Sequence, residues 1–91
     1  MARKDYDAIL DGLKKVSEEI ETMRGNAQKL NREADAAESV LKDDAAKKNI
    51  AGMRELAEAI GKATAAGMER VRELERNVRR EKDEWERQLT R

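Results

Sequence analysis

Lys42–Asn49 reads KDDAAKKN, and the phase of the apolar residues on either side of it decides the fold. Before it, Tyr6, Ile9, Leu13, Val16, Ile20, Met23, Ala27, Leu30, Ala34, Ala37 and Leu41 are spaced 3, 4, 3, 4 throughout. That alternation keeps one narrow seam of a helix facing a partner helix. With Tyr6 as heptad position a, the same frame carried forward would place Asp44, Lys48, Glu55 and Glu58 in the core, all of them charged. A new seam begins instead at Ile50 and runs through Met53, Ala57, Ile60, Thr64, Gly67, Val71, Leu74, Val78, Glu81 and Trp85. The chain is therefore expected to reverse within KDDAAKKN. Asp43 or Asp44 is suited to cap the second helix, accepting backbone N–H bonds and placing negative charge at its positive end. Asp43–Lys47 and Asp44–Lys48 then fall at i,i+4 spacing. One unbroken helix is the alternative, since the stretch lacks Gly and Pro, but it would leave the two seams on different faces.

The expected fold is all-α: a long antiparallel two-helix hairpin over about 4–41 and 45–89, a single domain spanning 1–91. The first seam keeps its phase through Gly25-Asn26, which fall at the outward positions f and g. A bend at Gly25 is the alternative to one continuous helix there. Pairing residues whose numbers sum to 87 sets Ala37 by Ile50, Ala34 by Met53, Leu30 by Ala57, Ala27 by Ile60 and Ile20 by Gly67. Large meets small in each layer. A one-heptad shift would set Ala37 on Ala57 and Ala27 on Gly67, leaving voids of about 1 kcal/mol or more each. The favoured register also brings Trp85 near Ala2 and Tyr6, in a hairpin roughly 60 Å long at about 1.5 Å per residue.

Composition narrows the function. The 91 residues carry 20 Lys plus Arg and 20 Asp plus Glu, with no His, Cys, Pro or Phe. The balance is local as well: the tail RVRELERNVRREKDEWERQLTR looks basic until its acids are counted. A nucleic-acid partner needs a cationic face, and none is present. No apolar run approaches the roughly 18 residues of a membrane span, and the start MARKDYD has no signal-peptide core. The expectation is a protein that is cytoplasmic or exported by a leaderless route, without membrane insertion.

Catalysis is not expected either. Without His there is no Glu-x-x-His metal motif, no imidazole base and no Ser-His or Cys-His pair. The carboxylates alternate with Lys and Arg on outward positions, and a thin pair of helices offers no cleft that would set two of them apart for acid–base work. Asp5, Asp7 and Asp11 lack the Gly turn and terminal Glu of a calcium loop. The glycines lie within helical patterns and form no phosphate cradle. No cofactor, metal or small-molecule substrate is expected.

What remains is a second apolar stripe. Gly52, Leu56, Ala59, Ala63 and Ala66 are spaced 4, 3, 4, 3 at positions c and g, beside the seam rather than in it. Ala36 and Val40 of the first helix adjoin them, and Gly61 and Met68, at e, widen the apolar arc on the other flank. Past Met68 the c and g positions turn to Arg70, Glu73, Asn77, Arg80 and Glu84. Alanine as an ordinary surface helix former accounts for Ala59 and Ala66. It does not account for Leu56, or for glycines that each cost roughly 1 kcal/mol against Ala inside a helix. The stripe reads as a partner interface, for a larger helical protein or for a second copy, giving a four-helix-bundle-like assembly. In the last two heptads, Glu75–Arg79, Arg79–Asp83, Arg80–Glu84, Lys82–Glu86 and Asp83–Arg87 form a ladder of i,i+4 opposite charges that supports the helix where its core thins.

In length, lack of Cys and two-helix architecture, the chain resembles the small W-x-G secreted proteins of type VII systems and their helical companions. The likeness covers the whole chain in architecture and is carried by no motif. Where that family has W-x-G in the turn, this chain has KDDAAKKN, and its one Trp, Trp85, is followed by Glu86-Arg87. The family's aromatic-x-x-x-acid export signal is also absent, since Trp85 is followed four places on by Leu89 and Tyr6 by Leu10. The resemblance implies an adaptor, chaperone-like protein or secretion companion that helps a larger effector reach the export machinery. A self-assembling homodimeric scaffold or coiled-coil spacer is the alternative.

Overall fold

The computed structural model describes residues 5–90, and they form a hairpin of two α-helices. Helix α1 spans Tyr6–Val40 and α2 spans Asp44–Leu89. The chain reverses through Leu41, Lys42 and Asp43, inside the stretch where the heptad phase fails. The expected start at residue 4 and the expected contact with Ala2 lie outside the described residues. Among the described residues no helix is long and apolar enough to cross a membrane.

Each helix begins on an aspartate. Asp5 Oδ1 accepts the backbone N–H of Ala8 at 2.9 Å, and Asp43 Oδ1 accepts that of Ala46 at 2.7 Å. Of the two candidates at the turn, Asp43 is thus the cap, and Asp44 becomes the first residue of α2, where its charge opposes the helix dipole. The Leu41 N–H closes α1 by donating to the Ala37 carbonyl at 2.8 Å. Helix α1 passes through Gly25-Asn26 without interruption.

The two seams meet as antiparallel partners. A Cβ placed on Gly67 would lie 3.4 Å from Ile20 Cδ1, a layer in the register whose numbers sum to 87. At the open end the Tyr6 and Trp85 rings sit 6.1 Å apart, tilted by 56°. That offset geometry is the one aromatic pairs favour over a flat sandwich. The seam buries Tyr6, Ala27, Ala34, Ile50, Ala57, Thr64 and Val71. Thr64 is the only polar member, and its hydroxyl donates back to the carbonyl of Ile60 at 2.8 Å, with that of Gly61 at 3.0 Å.

The hairpin measures 72 × 18 × 15 Å, longer than the expected 60 Å because α2 is 46 residues to α1's 35 and runs on past it. Its radius of gyration is 20.8 Å, against about 12 Å for a compact domain of this length. A shape so thin has one layer of core and no inside. No large side chain is fully buried among the described residues.

Candidate functional site

Which flank of the seam closes is settled by the e positions. In an antiparallel pair, e faces e on one side and g faces g on the other. The Ser17 hydroxyl donates to Met68 Sδ at 3.8 Å, and Arg54 pairs with Glu38 at 2.7 Å, both e-to-e contacts. Arg54 also reaches Asp35 at 2.7 Å, so one guanidinium ties down two carboxylates of α1. Its hydrogen bonds to Glu38 and then Asp35 hold it protonated beyond the ordinary arginine value. Near the open end, Lys82 at another e position pairs with Asp7 at 2.8 Å and lies 3.9 Å from Glu86. The bond to Asp7 raises the Lys82 ammonium above its ordinary 10.5. The helices have rolled toward their e flanks.

This roll uncovers the opposite side. Ile9, Val16 and Met23, the first three d residues of α1, are 50%, 45% and 51% exposed. The sequence reading placed all three in the hairpin seam. Their partners by register, Val78, Val71 and Thr64, are half-buried or buried, so these three contribute little to closing the hairpin, whereas Leu30 and Ala37, the d residues nearer the turn, are half-buried. The d residues of α2, Met53, Ile60 and Leu74, are half-buried on the same side. The sequence carries no signal for this: the e positions mix Leu10, Ser17, Gly61 and Met68 with Arg24, Glu38, Arg54 and Lys82, and the g positions mix Glu19 and Glu33 with Val40, Leu56 and Ala63.

The second stripe joins this uncovered side. On a helix, c, g and d are neighbours, so Gly52, Leu56, Ala59, Ala63 and Ala66 continue laterally from the d row of α2. All five are exposed, Leu56 to 55%. Ala36 and Val40 of α1 are exposed as well, Val40 to 75%. These seven share one side of the turn-proximal half. Gly61 and Met68 stand apart: both are half-buried on the e flank, where Met68 is engaged by Ser17. Beside Gly61 an open groove of about 740 Å³ runs between Ala27 and Ala57, rimmed by Arg24, Asp35, Arg54, Glu58 and Lys62. Its rim mixes both signs of charge, so it offers no single ligand chemistry.

The ladder at the end of α2 forms in part. Glu75–Arg79 closes at 3.7 Å and Lys82–Glu86 at 3.9 Å, while Arg80 turns to Asn77 Oδ1 at 3.0 Å. These are solvated contacts worth a few tenths of a kcal/mol each at about i,i+4 spacing. The large feature is the apolar side, formed by the d rows of both helices and the c and g residues near the turn. Comparison with protein-family models, with curated proteins and with solved structures finds no match to this chain.

Proposed function

We propose that this chain is a non-catalytic protein–protein interaction module that docks helices on the d, g and c side of its turn-proximal half. One observation carries the reading: large apolar side chains on both helices, Met23, Val40 and Leu56, stand at least half exposed on a single side. Scattered exposed apolar residues need no explanation, but three large ones gathered on one side, with small residues between them, are what a docked helix would cover. The small residues Gly52, Ala59, Ala63 and Ala66 between them would let a partner backbone approach closely. An adaptor or secretion companion is the cellular role in keeping with the W-x-G-like architecture, and self-assembly is the alternative that the thin core favours.

The test is the mass of the chain in solution, alone and co-expressed with helical proteins encoded beside it, for the natural chain and for the double variant Ala59→Glu, Ala63→Glu. The expected result is an assembly that the double variant loses while keeping its helix content. An assembly of any composition that survives both glutamates unchanged overturns the reading.

A further inference from the structure

We infer that the occupant of this side is a second copy of the chain, packed antiparallel across a two-fold axis, with the two turns at opposite ends. The inference rests on the interaction-module reading and names its partner. A two-fold axis lying across the hairpin stacks α1 on α1 and α2 on α2, each antiparallel. Both stacks must then obey one geometry, because the hairpin's own register sets α1 against α2.

That requirement can be checked on residue numbers. In α1, pairing numbers that sum to 53 sets Val16 on the second copy's Ala37, with Met23 and Leu30 filling the layers beside the axis. Val40 falls within one residue of Gly12, around which a Cβ would meet nothing within 4 Å. The hairpin's own register ties the helices at a sum of 87, seen in the Ile20–Gly67 layer. A sum of 53 in α1 therefore fixes 121 in α2, that is, twice 87 less 53. At that register Leu56 meets the second copy's Ala66, and Ala59 meets Ala63, each within one residue. A register chosen on α1 alone thus lands the α2 stripe on itself, with Leu56 on Ala66 and two alanines closest to the axis. Gly52, the outermost stripe residue, falls within one residue of the second copy's Arg70, so the apolar match on α2 runs from Leu56 to Ala66.

Area agrees. The overlap runs from residue 13 to 40 of α1, about 42 Å at the helical rise. Across the 18 Å width of the hairpin, that is about 800 Å² per copy, the size of a standard stable interface. A heteropartner would have no reason to match the spacing of α1 to that of α2 through a shared two-fold. One rim contact opposes the pairing: Glu19 falls near the second copy's Glu33, both solvated. Screening weakens that repulsion, so the dimer is expected to tighten as salt rises.

The chain has no cysteine, which makes disulfide trapping clean. Asn26 lies beside the axis on the g flank, and Gln28 lies at the same height on the opposite side of the hairpin. Asn26→Cys is expected to form a disulfide-linked dimer on mild oxidation, and Gln28→Cys is not. Sedimentation equilibrium of the natural chain is expected to give twice its 10.4 kDa mass. Ala59→Glu, Ala63→Glu is expected to return it to one chain with helical circular dichroism retained. A natural chain that stays monomeric at about 100-fold the concentration of a micromolar dissociation constant overturns the second-copy inference alone, leaving the face for another protein's helix. A dimer that Gln28→Cys traps and Asn26→Cys does not also overturns it. A dimer untouched by both glutamates overturns this inference and the interaction-module reading together.

Discussion

Gly67 sits against Ile20 so closely that an added methyl group would touch Ile20 Cδ1 at 3.4 Å, whereas Gly12, Gly25, Gly52 and Gly61 have nothing within 4 Å of the same position. Four glycines thus stand in open space and one closes a layer. Replacing Gly25 by Ala is expected to stabilise the fold by about 1 kcal/mol through helix propensity alone. At fixed protein concentration that raises Tm by about 4–8 °C for a chain of this size. Gly67→Ala gains the same propensity but crowds Ile20, so its gain should be smaller. Gly67→Leu should lose about 1–3 kcal/mol by overpacking. Thermal unfolding followed by circular dichroism orders the three; a Gly67→Leu protein as stable as Gly25→Ala would show the helices are not in this register.

Ala34 is wholly inaccessible, though it is only a methyl group. The register that the Ile20–Gly67 layer fixes sets half-buried Met53 opposite it, large against small. Ala34→Leu is expected to cost about 1–3 kcal/mol for the strain of forcing two large residues into one layer. The companion change Met53→Ala should recover part of the loss in the double variant. Denaturant unfolding at constant m-value measures both, and simple additivity would argue against the layer.

The aspartates at the turn are not equivalent. Asp43 Oδ1 takes the Ala46 N–H, and Asp44 lies within the helix. Asp43→Ala is expected to destabilise by about 0.5–2 kcal/mol, the usual range for a lost cap. Asp44→Ala should lose only the weaker dipole interaction, about 0.3–1 kcal/mol. Equal losses would mean that the helix starts one residue later than described.

Arg54 spans α1 and α2 by holding Asp35 and Glu38 together, each at 2.7 Å. A planar guanidinium serves two carboxylates at once, and an ammonium does not. Arg54→Lys should lower Tm at low salt, with most of the difference gone in about 1 M salt, where the screening length falls to about 3 Å. A salt-independent difference would assign the effect to packing of the side-chain stem.

Lys82 gives the hairpin an alkaline limit at its open end. Its ammonium is raised above 10.5 mainly by the hydrogen bond to Asp7. A raised cation stabilises the fold while it is charged, so the contribution is fully present below the unfolded lysine value of 10.5. It is lost as pH climbs through the higher folded value. Melting temperatures measured on either side of that window should therefore fall for the natural chain and fall less for Lys82→Met. The pair is solvated, so the effect is small, and identical pH profiles for the two proteins would remove Asp7–Lys82 from the list of fold-closing contacts.

Two things were legible in KDDAAKKN and its flanks. The 3, 4 spacing before it and the shifted spacing after it require two helices and a reversal, because a seam can face a partner only while its phase is kept. The aspartate cap of α2, the Tyr6–Trp85 closure and the Gly67 layer follow from the same reading, and the Asp5 cap of α1 does not. The sequence also marked Gly52, Leu56, Ala59, Ala63 and Ala66 as a second stripe, since their spacing is independent of the seam. It did not reveal Ile9, Val16 and Met23 as exposed. A heptad names the a and d residues of a helix but is silent on which flank, e or g, the pair closes upon. That choice is made by contacts between residues far apart in the chain, Ser17 with Met68 and Arg54 with Asp35 and Glu38. Only the folded hairpin brings those residues together, and by closing on e it leaves Ile9, Val16 and Met23 of the d row exposed.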